Sequence, residues 1–255
     1  MLSAAMSATP SRASRSLVLA YGLAVYAFFL VTFLYAVGWV GGLVTPTNVA
    51  GGLTAEGVEP WLVNAGLLGL FAVQHTVMAR LAFKRWWTRF VPAPVERSTF
   101  VLATNLILML VFFQWRQLDG VVWHVQADWA RGLLWTLFAL GWGIVLLSTF
   151  LIDHFELFGV RQVYDHWRGR VHRPAQFVER SLYRFVRHPL MFGFLLAFWA
   201  APSMSAGRFF FAAVTSAWVL VAVRIEERTL LSLHGEAYQD YRRRVSMLVP
   251  RPPAE

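Results

Sequence analysis

Leu17 to Val40 reads LVLAYGLAVYAFFLVTFLYAVGWV, an unbroken apolar run with no charged residue. A helix needs about 20 such residues to cross the hydrocarbon of a bilayer, and this run exceeds that. It is too long for the core of a signal peptide, and no Ala-x-Ala cleavage site stands at its end, so it reads as a retained span. Further apolar runs follow at 62–83, 98–115, 132–152, 189–201 and 207–223. The run at 189–201 is short. It reads either as a half-helix or as one arm of a tight hairpin with 207–223, turned at Pro202, Ser203 and Gly207. The expectation is an all-α integral membrane protein of about five to six transmembrane helices, with a C-terminal helical hairpin and a cytoplasmic amphipathic tail. Residues 1–152 are expected to form a four-helix membrane region, and 153–255 a loop, the hairpin and the tail.

Composition agrees. The 255 residues are 57% hydrophobic and 15% charged, against about a quarter charged in soluble domains, and the mean hydropathy is +0.51. No cysteine is present, which excludes disulfides, thiolate catalysis and cysteine-ligated metal. The formal charge of +9 invites a nucleic-acid reading, but Lys84 is the one lysine and the arginines flank apolar runs. A membrane surface explains that placement better than nucleic acid does. With an inside N-terminus, the segments 1–16, 84–97, 153–188 and 224–255, together with Arg80, carry 20 of the 23 basic residues. The outside loop 41–61 carries none, but holds Glu56 and Glu59. Both termini are therefore expected on the cytoplasmic side. The 153–188 loop is long and holds Phe155, Tyr164, Trp167 and Tyr183, and it is expected to pack on the C-terminal segment as a cap.

Charged and polar groups beside membrane need a reason, and four groups supply candidates. Arg187-His188-Pro189 precedes the short run. Proline suits the first turn of a helix, so His188 falls just before a helix start, where free N–H groups and Arg187 favour a carboxylate. Gly193 follows one turn later and admits a ligand or a neighbouring helix. Glu226 and Glu227 close the last run; they read either as a paired surface helix with Arg224 and Arg228 or as acceptors for a ligand's hydroxyl or amine. Gly235 reads as a helix-ending residue, beyond which Tyr238 and Tyr241 share a face beside Arg242. Within the spans, Gln74-His75 and Asn105 reach a similar depth on the inside half, and Asp153-His154 closes the fourth run. The seven histidines are scattered, with no His-x-x-x-His or zinc-type spacing, so no metal site is expected.

The order Arg-His-Pro-x-x-x-Gly, an apolar hairpin, Glu-Glu-x-x-Leu, Gly-x-x-Tyr-x-x-Tyr and Val-Pro runs from Arg187 to Gly193, Glu226 to Leu230, Gly235 to Tyr241 and Val249-Pro250. It resembles the isoprenylcysteine carboxyl methyltransferase superfamily of membrane enzymes. Gln74 to Arg80, Phe83 to Trp87 and Pro94 to Ser98 resemble its bacterial methanethiol S-methyltransferase branch, with NnrU-like proteins as more distant relatives. The resemblance implies S-adenosylmethionine as cofactor, methanethiol as the small thiol substrate, dimethyl sulfide as product, and a bacterial inner-membrane location among lipids. It implies a cofactor site formed by Arg187, His188, Pro189, Gly193, Glu226, Tyr238, Tyr241 and Arg242, with Glu227 near the acceptor. The family often has tyrosine where this chain has Met191. Candidates for taking the thiol proton are His75, Asp153 and His154, chosen by depth and chemistry rather than by the motif. Two other readings stay open: methylation of a lipid-borne or prenylcysteine-type carboxylate, and a non-catalytic NnrU-like or haem-binding membrane protein. The oligomeric state is not legible.

Overall fold

The structure, a computed structural model, describes residues 11–173 and 181–252. The first ten residues of the basic N-terminal arm, residues 174–180 of the long loop and the last three residues lie outside the described residues.

Five helices are long and apolar enough to cross a bilayer: α1 (Arg12–Gly41), α2 (Glu59–Met78), α4 (Ala93–Gln114), α5 (Asp128–Ile152) and α9 (Ala206–Arg244). Only 17% of the most apolar stretch of α1, and at most 33% of that of any other, is buried inside the protein. Surfaces of Leu, Val and Phe left open to that extent are stable against lipid and not against water. The chain is thus an all-α membrane protein. Short helices link the spans: α3 (Leu81–Trp87), α6 (His154–Leu157), α7 (Val160–Trp167) and the apolar α8 (Pro189–Trp199).

The run expected at 62–83 is two helices. α2 stops at Met78, and Arg80, in extended conformation, precedes α3. A guanidinium at the membrane edge favours this break, and in α3 Phe83 stacks on Trp87 and packs at a tilt against Trp86, aromatics of the kind found at an interface.

The turn expected between the last two runs is a strand, β2 (Ser203–Ser205), paired antiparallel with β1 (Val121–His124) from the α4–α5 loop. This pairing fixes the path of the short run. β2 sits at the end of the bundle that holds the α4–α5 loop, whereas the chain before α8 follows α5 and sits at the other end. The chain therefore passes from one end of the bundle to the other between the loop before α8 and β2, although α8 has only 11 residues, about 16 Å of helix. α8 packs antiparallel on α5 at a backbone-to-backbone crossing. A Cβ on Gly193 would lie 2.7 Å from the Gly141 carbonyl oxygen and 2.9 Å from the Val145 nitrogen.

At the β-hairpin end, aromatic side chains form the core. Trp39 lies edge-on to Trp115 at 5.4 Å and to Phe211 at 5.4 Å, and Trp115 donates to the Val49 carbonyl. At the opposite end, the loop packs differently from expectation. Among the described residues, α7 lies on α1 and α4 and α6 packs on α5 and α7, rather than on the C-terminal segment. The reason is steric: Val163 is fully buried against Gly22, where a Cβ would stand 2.5 Å from the valine methyl. His172 bridges Asp165 and Glu156 across this cap. Among the described residues of the loop, those from Ser181 onward meet the C-terminal tail.

Candidate functional site

α9 does not run straight. At Gly235 the backbone turns to φ 55°, ψ −129°, a region open almost only to glycine, and the chain bends into a second helical stretch ending at Arg244. That bend brings Tyr238, Tyr241 and Val245 into one buried cluster with Leu230 and Leu231 of the same helix. The two phenol rings sit 5.9 Å apart. The Tyr241 hydroxyl donates to the Tyr183 carbonyl at 2.6 Å, tying the tail to the 3-10 turn Ser181–Arg184.

From there the chain before α8 runs as extended backbone beside the tail. The Arg187 N–H donates to the Ser246 carbonyl at 2.8 Å, the His188 N–H to Met247 at 3.2 Å, and the Arg251 N–H to Phe185 at 3.1 Å. Val186 and Ser246 form a parallel bridge. These bonds matter because of depth. Counting five residues back along α8 from its crossing with Gly141 and Val145, His188 stands level with about residue 148 of α5, roughly 6 Å inside its end. Non-helical backbone at such a depth is tolerated only where protein satisfies it, and here the tail does.

On this frame five charged or titratable side chains converge. The Glu227 carboxylate, 5% exposed, accepts from Arg187 Nε at 2.7 Å and His188 Nε2 at 3.2 Å, and its second oxygen lies 3.5 Å from Arg242 Nε. Arg187 Nη1 also donates to the carbonyls of Arg242 and Val245. Glu226 faces the other His188 nitrogen at 3.7 Å and is half exposed. Burial, and the negative Glu226 beside it, push the Tyr183 phenol above its ordinary value, so it is a neutral hydrogen-bonding group.

The structure thus gathers Arg187, His188, Glu226, Glu227, Tyr238, Tyr241 and Arg242 at one end of the bundle. Pro189 begins α8 there, with His188 as its N-cap. Gly193 serves a neighbouring helix, as described above. Arg187 and Glu227 spend their hydrogen bonds on each other and on the tail, whereas Glu226 and Arg242 keep exposed edges. Tyr183 and the carbonyls of Val245, Ser246 and Met247 belong to the same frame. Sequence reading did not select them: Tyr183 registered only as an aromatic of a long loop, and the carbonyls carry no side-chain signal.

The three other candidates stand apart from this cluster, with no hydrogen bond or ion pair to it. Asp153 caps α6 through the Glu156 N–H and pairs with Arg161 at 2.8 Å. His154 is bonded at both nitrogens, to Tyr26 and to Thr149, each at 2.8 Å, and it stacks on Phe150 at 4.2 Å. Burial holds its pKa below the ordinary histidine value, partly offset by Asp153. His75 is ringed by Phe71, Phe100 and Trp218 at 5.1–5.6 Å. Its Nδ1 is buried without a hydrogen-bond partner, as is the Asn105 amide nitrogen on α4. Gln74, next to His75, reaches Thr104, next to Asn105, at 3.3 Å, so these two polar pairs do converge between α2 and α4. Glu227 follows Trp218 by nine residues on α9, about 13 Å along the axis.

Comparison with known proteins finds relatives along nearly the whole chain. The chain is 52% identical over 238 residues to a methanethiol S-methyltransferase of Mycobacterium tuberculosis, covering 93% of this chain and 98% of the relative. It is 49% identical over 243 residues to methanethiol S-methyltransferase 1 of Bradyrhizobium diazoefficiens, covering 95% and 85%. A weaker similarity, 29% over 185 residues, links it to nurim of Sus scrofa, covering 69% and 70%. No family model matches the chain, and no solved structure does.

Proposed function

The chain belongs to the methanethiol S-methyltransferase family, and from that membership we propose that it methylates the sulfur of methanethiol with S-adenosylmethionine, giving dimethyl sulfide. The similarity along nearly the full length carries this reading, and the polar cluster at the base of α8 supports it. When bound, the donor supplies a methyl group on a cationic sulfur, open to in-line attack by a thiolate.

The residues present fit such a donor, which carries an ammonium, a carboxylate, ribose hydroxyls and a purine. Glu226 has a half-exposed carboxylate for the hydroxyls or the ammonium, and Arg242, 41% exposed at its side chain, has a guanidinium for the carboxylate. His188 adds a polar edge at the N-terminus of α8, behind Pro189. Arg187 and Glu227 hold this set rigid by pairing with each other and pinning the tail. Tyr238 and Tyr241 keep the tail folded over it, and Gly193 lets α8 seat against α5. Alignment of two reactants in this way is worth about 7–11 kcal/mol of barrier, and it needs neither a metal nor a protein nucleophile.

The thiol must lose its proton, since the thiolate is the nucleophile. Of the three candidates, Asp153 and His154 have their polar atoms committed to neighbours. His75 has an unpartnered nitrogen within an aromatic wall suited to a small apolar thiol arriving from the bilayer. We assign the proton transfer to His75. The arginine distribution supports a cytoplasmic side for the Glu227 end and both termini, and the bacterial relatives favour the inner membrane as the location.

The test is incubation of the detergent-purified chain with methyl-labelled donor and either methanethiol or a prenylcysteine analogue. The volatile product is measured by gas chromatography and the ester by extraction. Labelled dimethyl sulfide is expected, and His75→Ala is expected to lower kcat and shift the acid limb of the pH–rate profile. An ester without dimethyl sulfide would move the activity to lipid-borne carboxylates, and transfer to neither would overturn the proposal.

A further inference from the structure

Arg208 lies on the third residue of α9, at the β-hairpin end and about 28 Å along the helix from Glu227. It is 5% exposed. Its Nε and Nη2 are buried and have no hydrogen-bond partner. A guanidinium without a counter-charge in such a place is costly, because desolvation is not repaid by pairing. Arginine cannot relieve the cost by giving up its proton.

Arg208 borders a cavity of about 300 Å³ between the end of α1, the start of α5 and the β-hairpin. The other polar side chains around it are Asn48, His124, Arg131, Ser203 and Ser205, and no acidic residue lines it. The Asn48 carbonyl oxygen is taken by the N–H groups of Ala50 and Gly51, which fixes its amide orientation and leaves its nitrogen as a donor. Ser205 accepts from the Arg208 N–H as the N-cap of α9. Arg131 is half exposed, with a loose ion pair to Asp128 at 3.6 Å. The wall therefore offers two guanidiniums, an imidazole and an amide, and among the described residues the one carboxylate near them is the exposed Asp128 beside Arg131.

We infer that this cavity is a binding site for a phosphate group, held by the buried Arg208 with Arg131, His124 and Asn48 around it. Guanidinium forks match phosphate oxygens. The cavity lies where apolar helices end and Trp135 joins its wall, at the level where a bilayer presents phosphodiester headgroups. The shared chemistry is the phosphate, free or lipid-borne. The site is independent of methyl transfer, which is assigned to the opposite end of α9.

The experiment uses the full chain, delipidated in detergent. One arm titrates inorganic phosphate by calorimetry. The other adds phosphatidylglycerol or, as the phosphate-free control, diacylglycerol, and reads bound lipid by native mass spectrometry and the midpoint of thermal unfolding. Binding of phosphate, of phosphatidylglycerol over diacylglycerol, or of both is expected, with affinity falling at least tenfold in Arg208→Gln and clearly in Arg131→Ala. Arg131 is exposed, so its substitution keeps the test valid if Arg208→Gln does not fold. Phosphate alone identifies a free anion, and phosphatidylglycerol alone a headgroup. No binding of either probe, or equal binding in Arg131→Ala and the unsubstituted chain, overturns the inference.

Discussion

Replacing Glu227 by glutamine keeps the shape of the side chain and removes its charge. Three cations or donors then face a neutral amide: Arg187 at 2.7 Å, His188 at 3.2 Å and Arg242 at 3.5 Å. Breaking a buried ion pair from one side costs about 3–5 kcal/mol, because the remaining charge is left uncompensated. Arg187 retains its two bonds to the tail carbonyls, so the lower end applies, about 3 kcal/mol. By the scaling of chains of this size, that lowers the unfolding midpoint by roughly 6–12 °C. The assay is tryptophan fluorescence on heating in micelles, run with Arg187→Met and the double variant as a cycle. The expected coupling is above about 1 kcal/mol, since the two side chains touch. Methyl transfer is then measured well below each midpoint, so that a loss of turnover reports on the site and not on unfolding. A Glu227→Gln protein melting within a degree of the parent, with the double variant simply additive, would refute the claim that this carboxylate holds the tail.

Gly235→Ala should cost about 1–3 kcal/mol: nothing lies within 4 Å of a Cβ there, so the penalty is wholly the backbone conformation, and it should appear as a lower midpoint together with weaker donor binding. Gly193→Val should be at least as severe, because its Cβ meets backbone atoms of α5 at 2.7 and 2.9 Å that cannot turn aside; overpacking of this kind costs about 1–3 kcal/mol or more, and a midpoint within error of the parent would count against the crossing. For His154, burial lowers the folded pKa, so the unfolded chain binds the proton first as pH falls. Its contribution is complete above the unfolded value of about 6.5 and is lost as pH drops through that value toward the folded one. The midpoint should therefore fall between pH 7.5 and 5, and His154→Gln should flatten the slope.

The membrane class was legible because lipid imposes one simple demand, a long apolar run, and 17–40, 98–115 and 132–152 meet it in full. What that demand does not encode was missed. The break between α2 and α3 turns on Arg80, the single charged residue inside the stretch 62–83. The β1–β2 pairing joins segments some 80 residues apart and leaves only three or four residues in each strand. The seat of α7 on α1 depends on Val163 filling the space at Gly22, a complementarity with no periodicity to betray it. Arg208 registered only as one of three basic residues on the outside. Nothing in the sequence marks a guanidinium as buried and unanswered, since that depends on what α1, α5 and the hairpin bring around it.

The site was readable to the extent that its chemistry is written in side chains. Arg187, His188, Glu227 and Arg242 stand out as polar residues beside apolar runs, and they do meet. Their arrangement follows from a fact of length. Eleven helical residues reach about 16 Å, while the hydrocarbon is about 30 Å thick, so the chain before α8 must enter the bundle without being helical. Its N–H groups then need acceptors that lipid cannot offer, and the tail beyond Gly235 supplies them through Ser246 and Met247. The same tail is pinned by Arg187, and Arg187 is neutralised by Glu227. A short α8 thus requires a returning tail, a returning tail requires the glycine bend, and the charged groups sit between them. Fold and site are one construction at this end of the bundle, which is why substitutions at Glu227 and Gly235 are expected to move stability and donor binding together.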